Sequence, residues 1–279
     1  MEVEKLMSPS RDSQRSLEGF ETALRKFEPK LCFEIRFGNY LVKTVSTDRE
    51  FQNSLTLRQT VFENEQSVRS DLKVSADFTD LMSDHLVVID LRFGRVVAGA
   101  RLTIGSLEHD YPASRDFHLE PLIDKAGVKL ECSFLCVDQG YRNGHVVAIL
   151  MRGIARYASH TNAKFLFGAI AVELIESQAI VALMKYLVDS GVAELRFTLD
   201  AKDGSRIRGL PLAIAKFAAR GEQEKAPQKK PRLTQLLRLL IRFGARVSLL
   251  PAKSADLKRT SFLTVLDLQA NGSLNKFGA

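Results

Sequence analysis

Along the 279 residues, apolar positions follow two different periods. Residues 40–45, 85–90, 95–104, 128–137, 164–171, 194–199 and 262–268 are short runs rich in branched and aromatic side chains, which predicts strands. Between them lie helical faces. Phe51, Leu55, Arg58, Val61 and Phe62 follow Thr47-Asp48-Arg49-Glu50, a capping box in which the Thr oxygen takes an orphan N–H and Glu50 reaches back. Val147, Leu150, Met151, Ile154, Ala155 and Ala158 recur at spacings of three and four. So do Ile180, Leu183, Met184, Leu187 and Val188, a helix that Gly191 ends. A last helix over Leu233, Leu236, Leu237, Leu240 and Ile241 is expected to open at Pro231 and stop near Gly244. Arg92-Phe93-Gly94 reads as the turn of a hairpin. Residues 1–33, polar and without period, are expected to form a mobile extension, and residues 34–279 one α/β domain around a mixed sheet.

Composition narrows the class. With 45% hydrophobic residues the chain can bury one sizeable core, and its apolar runs are far shorter than a membrane span. The start, Met1-Glu2-Val3-Glu4-Lys5, lacks the apolar stretch of a secretory signal, and three cysteines give no disulfide framework. A cytoplasmic protein is expected. The net charge of +7 is uneven: residues 202–259 hold fifteen Lys and Arg against four acids, a balance of +11 that leaves −4 elsewhere. Such a region suits nucleic acid, an anionic lipid surface or an acidic protein, with a solvated loop as the plain alternative.

The candidate chemistry lies between residues 57 and 131. Arg58 and Phe62 are one helical turn apart; Asp77 and Asp80 follow, then Asp84-His85-Leu86-Val87-Val88, Gly99-Ala100-Arg101-Leu102, and Glu131. This ordered set resembles the ornithine-lipid type of N-acyltransferase, the hemolysin-like branch of the GCN5-related N-acetyltransferase (GNAT) fold, and more distantly the acyl-homoserine-lactone synthases. The resemblance spans residues 42–268. It implies a mostly antiparallel mixed sheet flanked by helices, with a basic C-terminal helical extension at about 202–246 and a closing strand at 262–268. It also implies transfer of a long-chain, 3-hydroxy or plain, fatty acyl group from acyl carrier protein to the amine of an amino acid such as ornithine, in aminolipid synthesis. The acyl-phosphopantetheine of the carrier is then a co-substrate, and neither cofactor nor metal is implied. An autoinducer-type synthase and a catalytically impaired, binding-only relative are the alternatives.

Amide formation from a thioester needs a neutral amine, a donor for the oxyanion and a cradle for the acyl donor. By the resemblance Glu131 is the catalytic base, with Arg101 and Asp80 beside it; otherwise Glu131 is an edge-strand glutamate in solvent. Strand alternation puts Glu131, Ser133, Leu135 and Val137 on one face and Cys132, Phe134 and Cys136 on the other. Arg58, Phe62, Asp77 and Asp84 are the candidate acceptor residues, carboxylates suiting an ammonium and guanidinium a carboxylate. An internal ion-pair network that fastens the helix to the hairpin is the second reading of the same residues.

Two departures stand out. The arginine of the family's Glu-Leu-Gly-Arg-Ser-Cys-Val strand is Phe134 here, and Lys258 and Phe262 replace the Phe and Asp of its closing motif. The segment from Val137 to His145, with Arg142, Asn143 and Gly144, precedes a helix and is expected to take the single phosphate of a carrier-bound arm, although a glycine before a helix is more often a plain turn. Lys229, Lys230 and Arg232, opening the basic helix, are further donor contacts by the resemblance. That helix can meet the acidic carrier protein, lie on an anionic membrane surface as a peripheral protein would, or pack on the sheet. No Walker loop, Gly-x-Ser-x-Gly elbow, His-Glu-x-x-His motif or zinc spacing occurs, and without a recognised module no nucleic-acid partner is expected.

Overall fold

The computed structural model describes residues 27–65, 77–172, 176–194, 199–219, 233–253 and 259–270. In chain order the elements are β1 (Glu34–Phe37), β2 (Tyr40–Thr44), α1 (Asp48–Glu65), α2 (Phe78–Leu81), β3 (Asp84–Asp90), β4 (Arg95–Ile104), α3 (Glu120–Ile123), β5 (Val128–Val137), α4 (His145–His160), β6 (Ala163–Val172), α5 (Ser177–Asp189), β7 (Ala193–Glu194), α6 (Leu210–Ala219), α7 (Gln235–Arg242), β8 (Arg246–Ser248), β9 (Ala252–Lys253) and β10 (Thr260–Asp267). One sheet runs β1-β2-β3-β4-β5-β6-β10-β8-β7, with β9 beside β10. Among the described residues only β5–β6 and β7–β8 pair in parallel, so the sheet is mixed and mostly antiparallel. Among the described residues no helix is long and apolar enough to cross a membrane.

Two faces of the sheet bury different things. On one, α4 lays Val146, Ile149, Leu150, Ile154 and Ala158 against Val42, Leu86, Ala100, Leu102 and Leu130. The approach is close: a Cβ on Gly153 would stand 2.5 Å from a Val42 methyl. On the other face α1 packs Phe51 on Val45 and Val87, and Leu57 and Val61 on Cys136. Thr47 caps α1 as its sequence predicts, accepting from the Glu50 N–H at 3.2 Å. Glu50 reaches one residue farther back than expected, to the Ser46 N–H at 2.9 Å, and pairs with Lys43.

Several elements differ from the sequence expectations. Of the expected mobile extension, residues 27–33 are described, and they are held: Phe27 is buried on Phe51, and the N–H groups of Lys30 and Leu31 donate to Asp84 at 2.7 and 3.0 Å. β1, an edge strand with polar Glu34 and Arg36, adds to β2 where no strand was expected. Helix α7 opens on Thr234, whose hydroxyl accepts from the Leu237 N–H, rather than at Pro231, which lies outside the described residues. Helix α6 has no counterpart among the expected helices.

The alternation of β5 breaks at Phe134. Gly99 opposes Cys136 while Arg101 opposes Ser133, so Ala100 faces two residues of β5, a bulge in which Phe134 takes φ +51°. The extra residue reverses the faces beyond it. Leu135 and Val137 therefore turn to the α4 side and Cys136 to the α1 side, opposite to the expected assignment.

Candidate active site

The polar side chains gather on the α1 side of β4 and β5. Arg101 and Ser133 are cross-strand partners, as are Thr103 and Glu131, so all four share that face. Upstream, Asp77 caps α2: its carboxylate accepts from the Asp80 N–H, and Asp80 reciprocates on the Asp77 N–H at 2.9 Å. That four-residue helix aims Asp80 into the interior, where Arg58 from α1 grips both its oxygens at 2.7 and 2.8 Å. Arg101 adds a third contact at 3.0 Å, and His85 lends its ring nitrogen to the Asp80 carbonyl. Burial by itself would raise the Asp80 pKa; the Arg58 hydrogen bond and the charges of Arg101 and Arg58 overcome it and hold the group at about 2. Burial drives His85 down to about 4, so it is neutral near pH 7.

Arg58, Asp80 and Arg101 thus form the ion-pair network that sequence left as one of two readings, all three nearly inaccessible to solvent. Phe134 completes it. Its ring lies 4.3 Å from the Arg58 guanidinium carbon and 4.6 Å from that of Arg101, with Phe62 edge-on at 5.8 Å. An apolar ring, not a third guanidinium, therefore covers two buried cations.

Glu131 is buried too, but differently. Its two oxygens both lie 3.2 Å from the Ala113 N–H, in a 3₁₀ turn over Pro112–Arg115. Burial pushes the carboxyl up to about 7, against opposing pulls from the Ala113 N–H and the Arg101 and Arg115 charges. A carboxyl poised near neutrality can accept and return a proton. It is no solvent-side edge glutamate.

Glu131 also marks where the sheet opens. β5 pairs with β6 from Val128 to Glu131; beyond it β5 continues on β4, and β6 on β10, with no ladder between them. Glu131 stands at the apex of that wedge, and the Phe134 bulge lies just inside it. From Val137 the chain turns into the segment expected to hold the donor. Arg142 donates to the Val137 carbonyl at 3.0 Å, Asn143 accepts from the His145 N–H, and Gly144 takes φ +87° to start α4. A cleft of about 320 Å³ lies between this loop and α1, lined by Thr60, Val61, Asn64, Asp138, Gln139 and Arg142.

The remaining expected residues separate from this group. Asp84 is buried, and it accepts from the Lys30 and Leu31 N–H groups and the Tyr157 hydroxyl at 2.8 Å, so it fastens the N-terminal segment instead of meeting an acceptor. Lys229, Lys230 and Arg232 lie outside the described residues. Glu108, His118 and Glu120 bring ligand-type atoms within 4.8 Å of one another, but Lys202 already stands 3.1 Å from Glu108. Sequence reasoning missed Ala113, whose backbone N–H meets Glu131, and Arg115, which carries no periodic signal.

Residues 57–152, which run from within α1 to within α4 and hold every residue of this cluster, match the family model of the acetyltransferase (GNAT) domain. The fold is that of the GNAT acetyltransferases. Among solved structures, the acyl-homoserine-lactone synthase LasI is similar at 13% identity over 89% of this chain and 97% of its own, with a TM-score of 0.46. TofI, solved with an inhibitor and MTA, gives 14%, 85%, 96% and 0.45. FeeM, an N-acyl amino acid synthase from uncultured soil microbes, gives 11%, 47%, 71% and 0.36. No curated protein matches the chain by sequence. In this GNAT fold the matched region supplies the β5 wall of the wedge and the loop that enters α4, and β6, the other wall, follows it.

Proposed function

We propose that this protein is an N-acyltransferase that moves a long-chain fatty acyl group from a carrier-protein thioester to the amine of an amino acid. The observation that carries the reading is Glu131: a buried carboxyl at about 7, placed at the apex of the wedge between β5 and β6. A thioester arm is extended and rich in amides, and strand edges released from their ladder can pair with it. The bulge leaves its extra residue out of the ladder, which offers backbone N–H to the oxyanion as the amine attacks. Glu131 takes the proton of the attacking nitrogen, the carbon–sulfur bond breaks, and the carrier thiol leaves. Arg58, Asp80 and Arg101 hold α1 and α2 onto this face and so position the acceptor side without being spent on substrate.

Ornithine and other amino acids, offered with long-chain acyl carrier protein or acyl-CoA, make the test, with products read by mass spectrometry. Acyl transfer from the carrier protein is expected, and no acylated amine from either donor sinks the reading. Glu131→Gln should lower turnover about 100-fold while the protein stays folded. Because the base must be unprotonated, wild-type kcat/KM should fall as pH drops through about 7, and that limb should be missing from the variant.

A further inference from the structure

Arg115 belongs to a closed ring of contacts around Glu131. From Glu131 the ring passes to the Ala113 N–H, along the 3₁₀ turn to Arg115, and from its guanidinium to Asp77 at 3.1 Å. Asp77 joins Arg101 at 3.1 Å, Arg101 joins the Ser133 hydroxyl at 3.0 Å, and β5 leads back to Glu131. The ring has a floor and a mouth. Glu131 and Arg101 are 1% and 3% exposed, whereas the Asp77 and Arg115 side chains are 31% and 56% exposed. The floor cations Arg58 and Arg101 are committed to Asp80, so carboxylate recognition at the mouth falls to Arg115.

The chemistry of the acceptor asks for such a residue. An α-amino acid brings its carboxylate within one carbon of the nitrogen that must reach Glu131. Two carboxylates that close repel, and a guanidinium between them and solvent offsets the repulsion with directed hydrogen bonds. The rim pair Arg115–Asp77 has the charges of a zwitterion in mirror image. We propose that Arg115 is the acceptor-carboxylate site: an α-amino acid replaces the Arg115–Asp77 pair, its carboxylate taking Arg115 and its ammonium meeting the Asp77 oxygen thereby released. Asp77 keeps its bond to Arg101 throughout. From there the ammonium passes one proton to Glu131, the amine so formed attacks the thioester, the carbon–sulfur bond breaks, and the nitrogen's second proton leaves on the carrier thiol. The assignment rests on the acyl-transfer reading above and names its acceptor class.

The experiment compares ornithine with putrescine, which keeps both amines and lacks the carboxylate, as acceptors for wild type, Arg115→Ala and Arg115→Lys. The quantity read is the ratio of kcat/KM for the acid over that for the diamine. Wild type should favour the acid, Arg115→Ala should cut the ratio about 10- to 100-fold through the acceptor KM, and Arg115→Lys should restore part of it. A ratio in Arg115→Ala within threefold of wild type, or a wild type indifferent to the carboxylate, overturns the assignment and leaves the acyl-transfer reading standing. Wild type that acylates neither amine overturns both. If Arg115→Ala loses only general stability, kcat and the donor KM move together for both acceptors and the ratio holds, which also overturns it.

Discussion

Glu131 and His85 are both buried and titratable, and their effects on stability run in opposite directions. Glu131 has its pKa raised, so the unfolded chain gives up a proton that the folded one keeps. Its contribution is therefore fully present below about 4.5 and is lost as pH rises towards 7. His85 has its pKa lowered to about 4, so its contribution is present above about 6.5 and is lost as pH falls. Between those values the two slopes oppose each other. Glu131→Gln removes one of them, so the variant should be more stable than wild type at pH 8, by on the order of 3 kcal/mol, with little difference near pH 4. Urea unfolding at the two pH values checks this. An equal difference at both would mean that the Glu131 pKa is the same in the folded and the unfolded chain. A gain in stability with a loss of turnover is what a residue kept for chemistry shows, and Gln preserves its shape and its contact with Ala113 only in part.

Elements matter here as carriers of charge. Helix α2 is a single turn, too short to persist alone, and it is held by its own capping box and by Asp80 gripping Arg58 and Arg101. Asp80→Asn keeps the volume and removes the charge, leaving two nearly inaccessible guanidiniums under the Phe134 ring. The expected loss is roughly 3–5 kcal/mol, seen as a lower denaturant midpoint at unchanged slope. A loss under 1 kcal/mol would show that solvent reaches the network. Much of this element structure was legible in sequence: the Arg58–Phe62 spacing, the Thr47 cap, the 95–104 hairpin strand and the full span of β5 all follow from period and cap chemistry. The rest was hidden for physical reasons. Nothing in Ser133-Phe134-Leu135 marks the extra residue of a bulge, so the faces beyond it were assigned in reverse. Asp84 reads in sequence like its neighbours, and only the fold shows that backbone N–H groups from residues 30 and 31 fill it. Arg115 lies in a segment with no period, and its place beside Glu131 is set by a 3₁₀ turn that tertiary contacts impose.

Over the whole sequence, charge is unevenly placed. The +11 segment includes α7, whose apolar side is committed to the interior: Leu237 is buried, and Leu236, Leu240 and Ile241 pack against the cluster around Ile180, Leu187 and Phe262. With that side taken, Arg238, Arg242 and Arg246 are left exposed at intervals of four residues. Packing on the sheet therefore leaves the other side of this helix open to a partner. An acidic carrier protein meeting exposed guanidiniums gains mainly in association rate, and ions screen that gain because the Debye length shortens from about 10 Å at 0.1 M salt to about 3 Å at 1 M. Reversing Arg238 and Arg242 to Glu should raise the apparent KM for acyl carrier protein roughly 10-fold at low salt, with the difference shrinking towards wild type at high salt. The acceptor KM should change little, because Arg115 and Asp77 stand on other elements. Initial-rate measurements at two ionic strengths decide it. A donor KM that ignores the reversal at low salt would remove the carrier protein from this face, and loss of binding to anionic vesicles in the same variant would assign the charges to a lipid surface instead.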